Sequence, residues 1–451
     1  MRIKTALPLT LSMIGTSLKI DTQANVTLNA ITTDSRACEK NDLFIALKGE
    51  KFSGADFINE VKKKHAFVVS ETANADFCVS SSQEALLKIA ADYKKLISPR
   101  YTVAITGSTG KTTTKDFTHA LLSSVLRTHK TEGNYNNILG VSHTILTAPQ
   151  KTDALVCELG MNHIGEIDVL SRHIHPDISI ITNIGTAHIG NLGSREMIAK
   201  AKLEIQNGMT DGKTIVFKNE PLLSKVGNPY FISSEDESSD LFFKIISKNE
   251  FGGEIFIKTK SFEQIFKTHL TSEHTLTSLL FAIAVCEIIG IQSEYIAKGI
   301  ERITEKILRQ RFINENGYEI YDDSYNSSPE AVVANLKMLR ERKTEISALI
   351  GDMLELGEKS RALHYYVGIE CAKHALKKLY TFGKYAYDVA RGAIENGMNP
   401  KNVFINPDIS NPELSARQIK DSYAGETLLV KASHSVNAHR IIELLTKERY
   451  E

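Results

Sequence analysis

The sequence predicts an α/β fold spread over three domains, and three observations predict it. At 451 residues the chain is too long for a single hydrophobic core. Short apolar runs ending in glycine or polar turns alternate with helix-like segments through most of its length. Two places break the alternation, Ser98-Pro99 and the polar stretch Glu305–Arg311 that precedes a new strand. The domains are therefore expected at 1–98, 99–307 and 308–451.

The elements follow in order. Arg2 and Lys4 before Ala6-Leu7-Pro8-Leu9 imitate a secretory signal, but Thr10, Ser12, Thr16 and Ser17 interrupt the apolar run. No window offers the ~20 apolar residues of a membrane span, so this stretch is expected to open a soluble domain without stable membrane insertion. Tyr101–Thr106 has the pattern of a buried strand and Thr113–Val125 that of the helix after it. Ala154–Leu159, Ile178–Asn183 and Thr214–Phe217 continue the strand series. Thr275–Ile289 and Ser293–Ile303 are helical in pattern. Gly317–Asp323, Ile346–Gly351, Leu379–Phe382 and Thr427–Lys431 form a second strand series.

Composition narrows the function. Fifty-four basic residues balance fifty-four acidic ones, so net charge gives no basis for a nucleic-acid or anionic-membrane partner. A local cationic pocket for a small anion stays compatible with that balance. Five scattered cysteines, none in a C-x-x-C pair, fit reduced thiols in a cytoplasm and argue against a zinc site or disulfide framework.

Gly107-Ser108-Thr109-Gly110-Lys111-Thr112 carries the clearest chemistry. A strand, a glycine turn and Lys-Thr opening a helix aim backbone N–H groups and the helix N-terminus at an anion. Gly107 and Gly110 allow a close approach that a side chain would block. Lys111 brings positive charge to the β- and γ-phosphates, and the Thr112 hydroxyl is suited to Mg²⁺. Ile105 occupies the position of the first glycine in the strict G-x-x-x-x-G-K-[ST] pattern. The shorter G-x-x-G-K-T-T after a clean β-run still points to nucleotide binding rather than to a chance surface turn.

Six segments, in order, resemble the Mur ligase family. Around the loop it is Thr106–Thr114; after it come Thr131-Glu132-Gly133-Asn134-Tyr135-Asn136-Asn137-Ile138-Leu139-Gly140, Glu158-Leu159-Gly160-Met161-Asn162 and Thr182-Asn183-Ile184-Gly185-Thr186-Ala187-His188. Asp322-Asp323-Ser324-Tyr325-Asn326-Ser327-Ser328-Pro329 and Gly351-Asp352-Met353-Leu354-Glu355-Leu356-Gly357 resemble the family's dipeptide-adding branch. Asp34-Ser35-Arg36 and Leu43–Gly49 resemble its uridine-nucleotide-binding domain. The resemblance implies a small N-terminal α/β domain, a central P-loop ATPase-like domain with a mainly parallel sheet, and a C-terminal Rossmann-like domain. It also implies an ATP-dependent, amide-bond-forming ligase that activates a peptide carboxylate as an acyl phosphate. The implied substrates are UDP-N-acetylmuramoyl-tripeptide and D-alanyl-D-alanine, acted on by a cytoplasmic monomer.

Site residues carry over by position. The resemblance assigns ATP to Gly107, Ser108, Thr109, Gly110, Lys111, Thr112, Thr113, Thr275 and Asp323, with Arg309 and Arg311 competing for the arginine beside phosphate. It assigns the UDP-linked substrate to Asp34, Ser35, Arg36, Lys48, Asn134 and Asn137, and the dipeptide to Asn326. Mg²⁺ falls to Thr112, Glu158, His188 and Lys202, with Lys202 carbamylated and Lys200 the alternative register. Lys111, Glu158, His188 and Lys202 are thus the catalytic set. A buried lysine near another cation loses its proton more readily, and a neutral amine reacts with carbon dioxide. Read without the resemblance, Ala199–Glu204 is an ordinary helix with surface lysines, and His188 a structural hydrogen-bonding residue.

The departures are local. Thr275 and Ser278 stand where the family carries asparagines toward adenine, and a hydroxyl cannot reproduce an amide's paired donor and acceptor. Ala432 and His434 replace a glycine and an arginine in Lys431-Ala432-Ser433-His434-Ser435. Asn41 and Ser53-Gly54-Ala55-Asp56 also differ from the usual residues. Another Mur-type ligase adding a diamino acid, and a P-loop kinase or hydrolase, are the competing functions.

Overall fold

A computed structural model describes residues 1–22, 24–49, 52–249, 252–303, 311–342 and 344–447. It contains three sheets in sequence order. The first comprises β1 (Arg2–Ile3), β2 (Ile31–Thr32), β3 (Leu43–Ile45), β4 (Phe67–Ser70) and β5 (Phe77–Cys78), side by side in that order. Only the β1–β2 pair is antiparallel.

The central sheet has nine strands. These are β6 (Tyr101–Thr106), β7 (Thr128–Lys130), β8 (Ala154–Glu158), β9 (Ile178–Ile181), β10 (Lys213–Phe217), β11 (Pro229–Ser233), β12 (Leu241–Asn249), β13 (Gly252–Thr259) and β14 (Glu263–Thr268). Their spatial order is β14-β13-β12-β11-β10-β9-β6-β8-β7, parallel from β12 through β7. β6, β8 and β9 are mostly apolar and, apart from half-buried Tyr101, buried, as a covered parallel sheet requires. The helix Glu273–Ile289, buried around most of its circumference, packs on the helix Lys111–Leu122 and closes one face.

The third sheet comprises β15 (Arg311–Glu315), β16 (Tyr318–Asp322), β17 (Ile346–Gly351), β18 (Lys378–Phe382), β19 (Val403–Asn406) and β20 (Thr427–Lys431), ordered β15-β16-β20-β17-β18-β19. All its pairs except β15–β16 are parallel. Three domains of α/β type with mainly parallel sheets are thus present.

The described residues add twelve strands to the eight that the sequence marks, and some bounds differ. The first helix of the central domain begins at Lys111 and ends at Leu122, rather than spanning Thr113–Val125, because Gly110 turns the chain into it at once. The second long helix pair begins at Glu273, where Ser272 caps it, and ends at Glu301 rather than Ile303. The antiparallel ribbon β12–β14 was not anticipated. It carries exposed Ile245, Ile246 and Ile265, so its polar alternation is blurred. The expected break at Glu305–Arg311 falls almost wholly outside the described residues. No described helix is long and apolar enough to cross a membrane.

Strand register sets the site. Ile105 pairs with Glu158, and Thr106 with Ile181, so the chain leaves β6, β8 and β9 at one edge. In the C-terminal domain Asp322 pairs with Val430, and Ile350 with Lys431, which brings the ends of β16, β17 and β20 together. Crevices at the carboxyl ends of parallel strands are where such folds bind ligands. Gly107 is part of the packing there: φ is 151°, and an added Cβ would lie 1.7 Å from Thr182 Oγ1. Gly107→Ala is expected to destabilise the fold by roughly 2 kcal/mol, from strain and overpacking together. Thermal unfolding beside Gly165→Ala, where φ is +91° and a Cβ meets nothing within 4 Å, separates the packing effect from the backbone effect.

Candidate active site

A cavity of about 570 Å³ lies between the central and C-terminal domains. Its central-domain wall is the glycine loop. Asn183 Oδ1 accepts from the backbone N–H of Ser108 (3.2 Å) and Thr109 (3.0 Å), and Thr182 Oγ1 donates to the Thr109 carbonyl at 2.6 Å. The loop's shape is therefore dictated by the end of β9. No side chain caps the helix Lys111–Leu122, which leaves its first-turn amides for an anion. Lys111 Nζ folds back and donates to the Gly107 carbonyl at 2.7 Å, a contact that an incoming phosphate can replace.

Glu158, 1% exposed, is the hub. Thr112 Oγ1 donates to its Oε2 at 2.7 Å and Asn136 Nδ2 donates to its Oε1 at 2.8 Å. Lys115 Nζ stands 4.0 Å from Oε2 and donates to the Gly133 carbonyl at 2.9 Å. Lys115 did not stand out in the sequence, and Asn136 did so only as part of a polar turn cluster with Asn134 and Asn137. Lys115 follows the loop by one helical turn, a spacing that puts it on the same helix face as Lys111.

The hydroxyl of Thr112 and the carboxylate of Glu158 form an oxygen donor pair suited to Mg²⁺. No group of three or more His, Cys, Asp or Glu able to hold a metal occurs among the described residues. The pair therefore fits magnesium shared with substrate phosphates rather than an all-protein cage. Lys202 is 1% exposed, and its Nζ has neither a hydrogen bond nor an ion pair among the described residues. Burial, and then the nearby Lys111 charge, push its pKa well below the ordinary lysine value. A buried neutral amine fits the carbamylation chemistry. His188 lines the same cavity in a left-handed conformation, φ 66°.

Asp323, Asn326 and Lys431 line the opposite wall. Asp323 Oδ2 accepts from Asn335 Nδ2 at 2.6 Å and pairs with Lys431 Nζ at 2.7 Å. Lys431 Nζ also donates to the Asn326 carbonyl. Asn335 had no signal in the sequence, since a lone asparagine inside a helix pattern carries none. Thr275 reaches the cavity, but its hydroxyl donates to the Ser272 carbonyl at 2.9 Å within the helix cap. Thr113, Asn134 and Asn137 also line the cavity, Asn137 while capping the helix Ile138–Leu146. Arg309 lies outside the described residues, and Arg311, where β15 begins, is described in its backbone alone.

Asp34, Ser35, Arg36 and Lys48 lie apart from this cavity, in the N-terminal domain. Asp34 holds Arg36 by two guanidinium hydrogen bonds, at 3.0 and 2.9 Å, and one from its backbone N–H at 3.1 Å, and these keep the Asp34 carboxyl down at about 2.

Comparison with known proteins accounts for every domain. Family models match residues 27–98 (Mur ligase family, catalytic domain), 105–286 (Mur ligase middle domain) and 308–434 (Mur ligase, glutamate ligase domain). A UDP-N-acetylmuramoyl-tripeptide–D-alanyl-D-alanine ligase of Bacillus subtilis is 33% identical, over 92% of this chain and 93% of its own length. A crystal structure of MurF from Acinetobacter baumannii superimposes with a TM-score of 0.87 at 26% identity, covering 98% of this chain and 99% of that one. The MurF ligase of Thermotoga maritima in complex with ADP gives a TM-score of 0.81 at 26% identity, covering 92% and 96%.

Glu158→Gln keeps the size of the hub and removes its charge. Its affinity for ADP with magnesium, measured by calorimetry, is expected to fall about tenfold or more. Binding of ADP in the presence of a chelator should be unchanged.

Proposed function

The chain belongs to the Mur ligase family, and from that premise we propose that it joins D-alanyl-D-alanine to UDP-N-acetylmuramoyl-tripeptide at the expense of ATP. The observation that carries this is the 33% identity to a ligase of that name, extending over 93% of the relative, together with one cavity lined by the phosphate loop, Glu158, His188, Asp323 and Asn326. Residues 1–98 would bind the UDP portion, 99–307 ATP, and 308–451 ATP and the incoming dipeptide.

The γ-phosphoryl of ATP passes to the tripeptide's terminal carboxylate, giving an acyl phosphate and ADP. The dipeptide amine attacks the acyl carbon, a tetrahedral intermediate forms, and it collapses to the amide with loss of phosphate and the amine's proton. Two anions must meet in the first step, so charge neutralisation and positioning dominate. Magnesium, when bound, supplies that neutralisation. Thr112 and Glu158 hold it, and His188 and a carbamylated Lys202 complete the set. Lys111 and the amides of Gly107–Thr113 hold the β- and γ-phosphates. Asp323, Thr275 and Arg311 address the rest of ATP.

Asn134 and Asn137 position the acceptor peptide, Asp34, Ser35, Arg36 and Lys48 the uridine nucleotide, and Asn326 the dipeptide. Lys202 becomes the carbamate by attack of its neutral nitrogen on carbon dioxide with loss of one proton, which needs the depressed basicity that its burial provides. The enzyme acts as a cytoplasmic monomer.

Phosphate release is expected only with ATP, UDP-N-acetylmuramoyl-tripeptide and D-alanyl-D-alanine together, with a product mass equal to the condensed pair. Release with meso-diaminopimelate instead of the dipeptide would reassign the chain to another branch, and release without any amine to a hydrolase. Lys111→Ala is expected to lower kcat at least about a hundredfold.

A further inference from the structure

The phosphate side of the site depends on a short segment, Thr186–Gly190, that contributes His188 and runs against the C-terminal domain. Two carboxylates of that domain hold it. Glu330 Oε1, in the first turn of the helix Pro329–Glu341, accepts from the Thr186 backbone N–H at 2.9 Å. Glu355 Oε2 stands 2.5 Å from His188 Nδ1, an ion-pair contact without hydrogen-bond alignment. The Glu355 carbonyl accepts from the Gly190 N–H at 3.1 Å. Gly190 and Gly357 meet so closely that a Cβ on Gly190 would lie 2.3 Å from the Gly357 nitrogen.

The backbone on both sides is unusual. His188 (φ 66°) and Glu355 (φ 64°) both occupy the left-handed region that favours glycine. Two non-glycine residues held there and facing each other across a domain interface mark strain retained for function rather than for folding. The loop bearing Glu355 is itself anchored. His364 Nε2 accepts from Met353 N–H at 2.9 Å, and Ser433 Oγ accepts from Leu354 N–H at 3.0 Å. On the central side the same segment reaches the phosphate loop, since Gly185 N–H donates to Ser108 Oγ at 2.9 Å.

We propose that Glu355 and Glu330 are positioning residues: docking of the C-terminal domain places both carboxylates on Thr186–Gly190 and so sets His188 and the Ser108 side of the phosphate loop in reacting geometry. The assignment rests on the ligase reading of this cavity and extends it to Glu355, at the cavity's edge, and to Glu330, outside its lining. Without the two carboxylates the segment relaxes, and the site assembles only partially when nucleotide binds.

Three full-length variants test this. Glu355→Gly removes the carboxylate and relieves the left-handed backbone, so its melting temperature should equal or exceed that of the unaltered protein. Its kcat should nevertheless fall at least about tenfold, with KM for the UDP-tripeptide held within about twofold. Glu330→Ala should repeat that split. Gly190→Ala, which leaves both carboxylates in place and obstructs the approach to Gly357, should do the same. Amide hydrogen exchange across 186–190, measured with ADP and magnesium, should speed up in all three. A kcat within about twofold of the unaltered enzyme, or a lower kcat with unchanged exchange, would overturn the proposal. If the unaltered enzyme forms no amide product, the ligase reading fails. The exchange comparison still decides whether the two carboxylates hold the segment.

Discussion

A buried carboxylate, Glu158, is the contact on which the remainder of the site depends. A charge at 1% exposure persists only when it is paired and hydrogen-bonded, and Glu158 recruits two separate pieces of chain to do this. Thr112 comes from the phosphate-loop helix, Asn136 from the loop after β7, and Lys115 from one turn further along that helix. Satisfying Glu158 therefore fixes where the nucleotide loop stands relative to the loop proposed to face the acceptor. The same carboxylate has an oxygen pair ready for a cation, because Thr112 exchanges a hydrogen bond for shared coordination.

The second constraint is charge. Triphosphate, a peptide carboxylate, Glu158 and Asp323 would repel one another in one cavity. Lys111 and Lys431 line that cavity, Lys115 stands behind it 4.0 Å from Glu158, and Lys202 lies near Lys111; Lys115, Lys202 and Lys431 are almost fully buried. Where Lys431 has Asp323 as a direct partner, Lys202 has none among the described residues and gives up its positive charge more readily. One amino-acid type is thus placed in two electrostatic settings, one beside a carboxylate and one buried without a partner for its Nζ among the described residues.

Closure then joins the two walls. The central domain brings the phosphate loop, and the C-terminal domain brings Asp323, Asn326 and Lys431. The segment Thr186–Gly190 is the shared border. Here a close glycine-to-glycine contact and two carboxylates join the domains. The site must admit three substrates and then exclude water.

The amino-acid sequence alone was sufficient for the α/β class, eight of the twenty described strands and the phosphate loop, because apolar periodicity and glycine-lysine-threonine spacing are local properties. Tyr101–Thr106, Ile346–Gly351 and Thr427–Lys431 coincide with their strands for that reason. The ribbon β12–β14 escaped notice because its exposed isoleucines obscure alternation. Lys115, Asn335, Glu330 and Glu355 had no local mark of their importance. Each matters through a partner 12 to 167 positions away — Gly133, Asp323, Thr186 and His188 — and such pairings exist only once β6, β8, β9, β16 and β20 align their ends. Local chemistry determined what the chain can hold. Strand register and domain docking decided which charges stand within reach of one another, since Coulomb and hydrogen-bond energies depend on separation in space and not on separation in sequence.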